Sequence, residues 1–443
     1  MTKATITAAI GVTAFVLVAA LALGVAFVVR GPDPRVVEPA PATPATSAAA
    51  PAAIMYQGFI YGRITTIDSD IYEGRLRWGR DQEAFWNDYF NGNRDGNPWA
   101  VHAPFAQPRQ ERSLEIFGLK FGGGGRDKLD RTFMSRFGDI ARIDARVREV
   151  DVALKSGTLF TLDRFKAGDI DDGVRVWDAK RGVVDVDARR IRTIEFLPTA
   201  PSVAAPARLH GTVRTRQGDF TGFILWDRHD CLSTDELDGR SAEREVSVRY
   251  DTIRSIARHS ADSALVTLVD GREMVLSGSR EVGRGNRGIY VDDTRYGRVL
   301  ISWDAFERVE FSAGGSGPGY GEFAPGRALA GSITTRDGRR LAGRLVYNFA
   351  ESETTETLDA AVPGVDYTIL FSLIASIVPQ GRDGRGDRAT VILDDGEELA
   401  LERTYDLADG NAGMLIFVDG RKSPEYVPWT DVAQIDLDHR RIP

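Results

Sequence analysis

Three acidic side chains stand at matching places along the chain, and they are the residues best suited to do chemistry. Counting back four from Gly92, Gly239 and Ala360 reaches Asp88, Asp235 and Glu356, each downstream of an aromatic residue, Trp78, Trp226 or Tyr347. Two carboxylates that a fold brings together can work as acid and base on a glycosidic bond. A carboxylate beside an aromatic ring also suits a sugar or a cation. The plainer role for an acid written three times is to hold a turn or a helix cap. Two of these acids meeting in one cleft would point to a hydrolase; each serving its own segment would point to a scaffold.

A second group of side chains suits binding. The run Glu83-Ala84-Phe85-Trp86-Asn87-Asp88-Tyr89-Phe90 pairs Phe85 with Tyr89 and Trp86 with Phe90 at i,i+4, which predicts one side of a short helix. After it comes an insertion, residues 93–125, that holds Trp99 and the run Phe121-Gly-Gly-Gly-Gly-Arg126. The glycine run lacks the Gly-Lys-Ser/Thr ending of a phosphate loop. Clustered aromatics are common anchors of interfaces. Phe85, Trp86, Tyr89 and Trp99, with the three acids, are therefore the candidate ligand- or partner-binding residues. The aromatics either cap their own module or receive a partner, and the fold itself is expected not to need the insertion.

Other chemistry is sparse. His102, His210, His229, His259 and His439 form no His-x-x-x-His pair. His229-Asp230-Cys231 makes no nucleophile–base pair, because neighbours on an extended chain point apart, and it reads as a surface loop. No Gly-x-Ser-x-Gly elbow and no twelve-residue calcium loop occurs. No catalytic residue, metal or cofactor is expected from these patterns.

The elements that must position these groups are strands. The stretch Val299–Phe311, VLISWDAFERVEF, reads as strand, tight turn and strand. Its pattern recurs at Phe137–Ile143, Val184–Phe196, Val246–Ile256, Ile369–Ile377 and Tyr426–Leu437. Three longer units contain these six copies in pairs. Each unit opens with a hairpin whose second strand carries a glycine (Gly74, Gly222, Gly343), as at a bulge or sharp bend. Each second half opens with another hairpin, and its glycines Gly157, Gly271 and Gly396 lie 114 and then 125 residues apart. That period predicts serial stacking of one module. The fold class is all-β: tandem small barrel-like modules, as three two-part repeats, after one N-terminal transmembrane helix. Repeat 1 spans 55–199, repeat 2 spans 205–312 and repeat 3 spans 328–443. A Gly-rich linker, 313–327, separates the last two and reads as flexible.

The half-module order of hairpin, loop, strand, tight turn and strand resembles that of Sm-like and SH3-like small barrels. That resemblance implies a bent, glycine-bearing second strand and a 3-10 linker such as Trp303–Phe306 between the last two strands. The three-repeat layout also resembles uncharacterised exported bacterial β-repeat proteins, which carry over no activity. RNA binding, as in some Sm-like proteins, is disfavoured by a net charge of -8 and a pI of about 5.4, since phosphate binding needs a basic field. No nucleic-acid partner is expected.

At the N-terminus, Ala4–Val29 carries no charge. As a helix it would rise roughly 39 Å, enough to cross a hydrocarbon core of about 30 Å. Residues 1–30 are thus expected to be a single-pass membrane anchor, with a cleaved signal peptide at Ala20-Leu21-Ala22 as the alternative. Residues 31–54, rich in Pro and Ala, form a tether. The single cysteine, Cys231, rules out an intrachain disulfide. The functional expectation is a non-catalytic envelope protein that binds or scaffolds an envelope protein or glycan. A carbohydrate- or peptide-processing hydrolase is the alternative.

Overall fold

Strands form where branched and aromatic residues alternate with polar ones, and glycines or short polar pairs turn the chain between them. The computed structural model describes residues 57–439 apart from 80–81, 95, 104–113, 117–118, 122–131, 166–167, 201–205, 243, 315–316, 382–387, 403–405 and 408–409. The expected anchor and the tether, residues 1–54, lie outside the described residues. Among the described residues, no helix is long and apolar enough to cross a membrane.

Repeat 1 contributes β1 (Tyr61–Thr66), β2 (Ile71–Trp78), β3 (Tyr89–Asn93), and a short inserted pair, β4 (Leu114–Ile116) and β5 (Leu119–Phe121). It continues with β6 (Thr132–Arg136), β7 (Ile140–Ala145), β8 (Glu149–Leu154), β9 (Leu159–Asp163), β10 (Val174–Asp178), β11 (Gly182–Val186) and β12 (Ile191–Phe196). Repeat 2 begins with β13 (His210–Thr215), β14 (Gly218–Leu225), β15 (Glu236–Ser241), β16 (Arg244–Arg249) and β17 (Ile253–Ser260). Its second half is β18 (Ser263–Leu268), β19 (Glu273–Ser277), β20 (Ile289–Asp293), β21 (Gly297–Ile301) and β22 (Phe306–Phe311). Repeat 3 follows the same plan with β23 (Ala330–Thr335), β24 (Arg340–Val346), β25 (Thr357–Val362), β26 (Val365–Leu370) and β27 (Ile374–Pro379). It ends with β28 (Arg388–Leu393), β29 (Glu398–Glu402), β30 (Met414–Phe417), β31 (Glu425–Val427) and β32 (Val432–Leu437).

The tight turn inside the repeated stretch is a one-turn 3-10 helix in five copies, at Phe137–Asp139, Ala188–Arg190, Tyr250–Thr252, Phe371–Leu373 and Trp429–Asp431. At Trp303–Ala305 it is a hydrogen-bonded turn instead, with Ala305 N–H on the Ser302 carbonyl. The strand that follows buries its first and fourth side chains. Ile253 and Ile256, Phe306 and Val309, Ile374 and Ile377, and Val432 and Ile435 are all at most 3% exposed.

Pairing between strands departs from the expected half-modules. In repeat 2 the hairpin β13–β14 continues onto β20, from Gly222↔Asp293 to Leu225↔Tyr290, and so onto a hairpin of the other half. Reciprocally, β19 of the second half meets β15 of the first at Arg240↔Ser277. The result is two lobes, ordered β22-β13-β14-β20-β21 and β17-β18-β19-β15-β16, joined through β17–β22. Repeat 3 shows the same exchange through β24–β30 and β25–β29, and repeat 1 through β2–β10 and the bridge Arg94↔Leu162. Contiguous half-barrels therefore do not form, and among the described residues the sheets close no barrel.

The repeated strand glycines mark close approach rather than a bulge. A Cβ on Gly74, Gly222 or Gly343 would lie 2.0, 1.9 or 2.1 Å from the carbonyl oxygen of Trp177, Asp292 or Phe417, on the strand exchanged from the other half. Bulges fall elsewhere, as between Arg214 and Thr215 where β13 meets β22.

Repeats 2 and 3 share one core and one sheet, joined by β21 and β26 from Arg298↔Thr368 to Ile301↔Val365. Repeat 1 has its own core, to which Phe323 from the linker belongs. Simple serial stacking does not describe this arrangement, because repeat 1 also contacts both of the others. Truncating a tight-turn anchor should cost what a core deletion costs. Ile253→Ala and Ile374→Ala are each expected to lose about 2–4 kcal/mol in urea unfolding. A loss below about 0.5 kcal/mol at both would contradict this packing.

Candidate functional site

The three repeated acids do one shared job. Asp88 Oδ2 accepts the backbone N–H groups of Glu83 and Ala84, both at 2.8 Å. Asp235 Oδ2 accepts those of Cys231 and Leu232 at 2.9 and 2.8 Å. Glu356 Oε2 accepts those of Ser352 and Glu353, the second at 2.9 Å. Each carboxylate thus closes the loop that leads into the third strand of its own repeat. A charged acceptor with two amide donors is a strong local clamp. No hydrogen bond or ion pair links any two of the three. Asp88 and Glu356 are buried, at 4 and 6% exposed, and Asp235 is half-buried.

What their remaining oxygens meet differs between repeats. Glu356 is ion-paired with Arg94 of repeat 1, which also donates to the Ala350 carbonyl at 2.9 Å. Asp88 Oδ1 lies 3.8 Å from a guanidinium nitrogen of Arg298 in repeat 2, and its amide-bound Oδ2 lies 3.8 Å from one of Arg208. Two of the three clamps are thus also joints between repeats.

The aromatic run is not helical: Phe85–Asn87 is a turn, and Tyr89 already belongs to β3. Phe85 and Tyr89 are buried, at 0 and 4% exposed, and Trp86 is half-buried. The run receives a segment of its own chain. Tyr320 and Phe323 from the linker pack on Phe85 at ring distances of 4.8 and 6.5 Å, and Phe323 lies 6.3 Å from Trp86. Tyr320 Oη donates to the Ile140 carbonyl at 2.8 Å, and Lys155 Nζ donates to that of Phe323 at 3.1 Å. The linker expected to be flexible therefore docks on repeat 1 over Tyr320–Phe323. Burial beside these rings pulls the Lys155 ammonium down to about 8.

Trp99 is half-buried and points to repeat 3. It lies with Ala103 against Val346, Phe349, Leu415 and Phe417, 5.8 Å from the Phe417 ring, and Asn97 donates to the Phe349 carbonyl at 2.7 Å. The start of the insertion is consequently a strap between repeats, contrary to the expectation that the fold does without it. Trp99→Ala is expected to lower the melting temperature, because it removes an aromatic plug from this joint. An unchanged melting temperature would show that the strap carries no stability.

The joint between repeats 1 and 2 is charged and buried. Arg298 donates to Asp292 Oδ1 at 3.2 Å, and its guanidinium lies 4.6 Å from the rings of both Tyr89 and Tyr290. Burial raises the Asp292 carboxyl to about 6 against the opposing pull of Arg298. Glu83 is likewise raised by burial, opposed by Arg208, Arg75 and Arg77. Cys231 Sγ lies 3.9 Å from Glu83 Oε1. Burial pushes this thiol well up, so it is not a thiolate nucleophile at neutral pH. Asp230 is buried with Cys231, and of the expected surface loop only His229 is exposed.

A further repeated acid escaped notice because its spacing varies. Asp169 accepts the Asn91 N–H at 2.7 Å, Glu281 the Asp238 N–H at 2.8 Å, and Asp406 the Asp359 N–H at 2.9 Å. The carbonyls of the same three residues accept from Trp78 Nε1, Trp226 Nε1 and Tyr347 Oη. The signal in the sequence was those aromatics, which need a buried acceptor. Burial lifts Asp169 to about 6 and Glu281 to about 7, and raises Asp359, beside the Asp406 charge.

An open cavity on repeat 1, about 490 Å³, is lined by Arg77, Arg175, Asp171, Asp172, Asp185 and Asp187 among others. Among the described residues no group of three His, Cys, Asp or Glu side chains could hold a metal ion. Comparison with family models, with curated proteins and with solved structures finds no match.

The raised acids set a pH dependence. Folded Glu281 keeps its proton up to about 7, whereas the unfolded side chain loses it near 4.5. The folded state thus binds more protons in that window, and stability falls as pH rises through it. Glu281→Gln, which keeps an oxygen for the Asp238 N–H, is expected to shrink the fall in melting temperature between pH 5 and 7.5. An unchanged slope would refute the assignment.

Proposed function

We propose that the chain is a non-catalytic, membrane-anchored protein of the cell envelope that binds or scaffolds an envelope protein or glycan. Its β repeats lie on the extracytoplasmic side, held by the apolar N-terminal segment. The observation that carries this reading is the shared duty of Asp88, Asp235 and Glu356. Each spends one oxygen on two amides of its own loop, and the other oxygen of Asp88 and of Glu356 faces an arginine of a neighbouring repeat. An acid so engaged is held in place as a structural acceptor, whereas a general acid needs access to substrate. The contacts that lock repeat 1 to both of the others favour a rigid platform over a cleft that opens and closes.

The test uses the full chain. It should remain with the membrane fraction after alkaline extraction, and the purified protein should retain cell-wall glycan without releasing sugar or peptide fragments. Fragment release that Asp88→Asn or Glu356→Gln abolishes would establish the hydrolase instead. A mature N-terminus near Leu23 would remove the anchor from the proposal.

A further inference from the structure

The outer strand of the repeat 1 sheet, β11, ends that sheet: it pairs with β10, and among the described residues no strand lies on its other side. Its counterpart in repeat 2 is β21, because Val174↔Val186 to Asp178↔Gly182 repeats the register Ile289↔Ile301 to Asp293↔Gly297. In repeat 2 that edge is occupied. The antiparallel strand β26 of repeat 3 lies on it over four residue pairs, sealed by a hydrogen bond of 2.7 Å from Tyr296 Oη to Glu397. The molecule therefore already uses this edge once for strand addition, and leaves the repeat 1 copy open. An open edge carrying Val183 at 59% exposure is a template for another strand.

The occupant follows from charge. One possibility is β16 of a second chain, the counterpart of β26. Transposing the β21–β26 register sets Asp185 opposite Glu245, in place of Leu300 opposite Asp366. It also brings Arg181 towards Arg272, in place of Tyr296 and Glu397. Both substitutions set like charges together, which disfavours head-to-tail addition. Pairing β11 with β11 of a second copy does the opposite. An antiparallel pair centred on Val184 sets Val183 opposite Asp185, Gly182 opposite Val186, and Arg181 opposite Asp187, twice by symmetry. Arg181 is about half exposed, 3.5 Å from Asp70 of its own chain and over the Tyr72 ring, with its outer face turned to solvent, and Asp187 offers a carboxylate of which Oδ1 caps the Arg189 N–H. A two-fold arrangement also closes, so it stops at a dimer.

We infer that the β11 edge is a homodimer interface, in which two copies of this chain join by antiparallel strand addition about Val184. This interface is independent of whether the repeats scaffold or catalyse.

The experiment is carried out on the detergent-solubilised full chain. Sedimentation equilibrium should give a dimer. Arg181→Asp should weaken association by about tenfold, since each copy contributes one exposed ion pair. The double variant Arg181→Asp/Asp187→Arg should restore it, with circular dichroism and melting temperature confirming that both variants fold. Val184→Cys should oxidise to a disulfide-linked dimer, because residues opposed in an antiparallel pair stand about 4.5–5.5 Å apart at Cα, within disulfide range. Val183→Cys, diagonal to its own copy, should cross-link more slowly. A monomeric chain at tens of micromolar would overturn the inference. So would a dimer indifferent to Arg181→Asp, or equal cross-linking at 183 and 184.

Discussion

Everything in this protein depends on an exchange of hairpins between the halves of each repeat. Neither half completes a lobe alone, because the strand beside β14 is β20 and the strand beside β19 is β15. A backbone donor or acceptor at a buried strand edge must find a partner, and here it finds one only in the other half. The smallest unit that pairs these strands is accordingly the whole repeat and not its half. The repeated glycines belong to this constraint: at Gly222 the carbonyl of Asp292 occupies the space where a side chain would begin.

Loops between hairpins then have to be fixed, and the same few devices fix them three times. A carboxylate clamps two amides at the entry to the third strand, and a second acid ties the long loop of the other half to that strand. The aromatic at the end of the second strand bonds to the backbone carbonyl of this second acid. Placing acids in such positions removes them from water, which is why Asp169 and Glu281 hold protons above the ordinary carboxylate range.

Joints between repeats are built by different means. Repeats 2 and 3 share a sheet edge and a core, so their joint is apolar and backbone-bonded. Repeats 1 and 2 meet through Arg298, Asp88, Asp292 and the rings of Tyr89 and Tyr290, a set of buried charges that must be present together. Removing one partner from such a set strands another charge in the interior, which costs more than the pair contributes. Repeat 1 reaches repeat 3 through Arg94, Asn97 and Trp99, and it holds the linker through Phe85 and Trp86.

The sequence by itself determined the all-β class, the three repeats, the six strand–turn–strand stretches and their buried anchors. These features are local and periodic, and burial of every second residue writes them directly into the order of residues. It also located Asp88, Asp235 and Glu356, because identical loops need the same clamp at the same offset. Only the tertiary structure decided which hairpin lies beside which, since β14 followed by β20 has the same alternation as β14 followed by β15. It alone decided that Phe85, Trp86 and Trp99 receive or reach other parts of this chain, because an aromatic written in a sequence shows appetite for burial but not its partner. The acids Asp169, Glu281 and Asp406 belong with these. Their loops differ in length, and only folding brings each carboxylate to the strand amide, and each carbonyl to the aromatic, that give it a role.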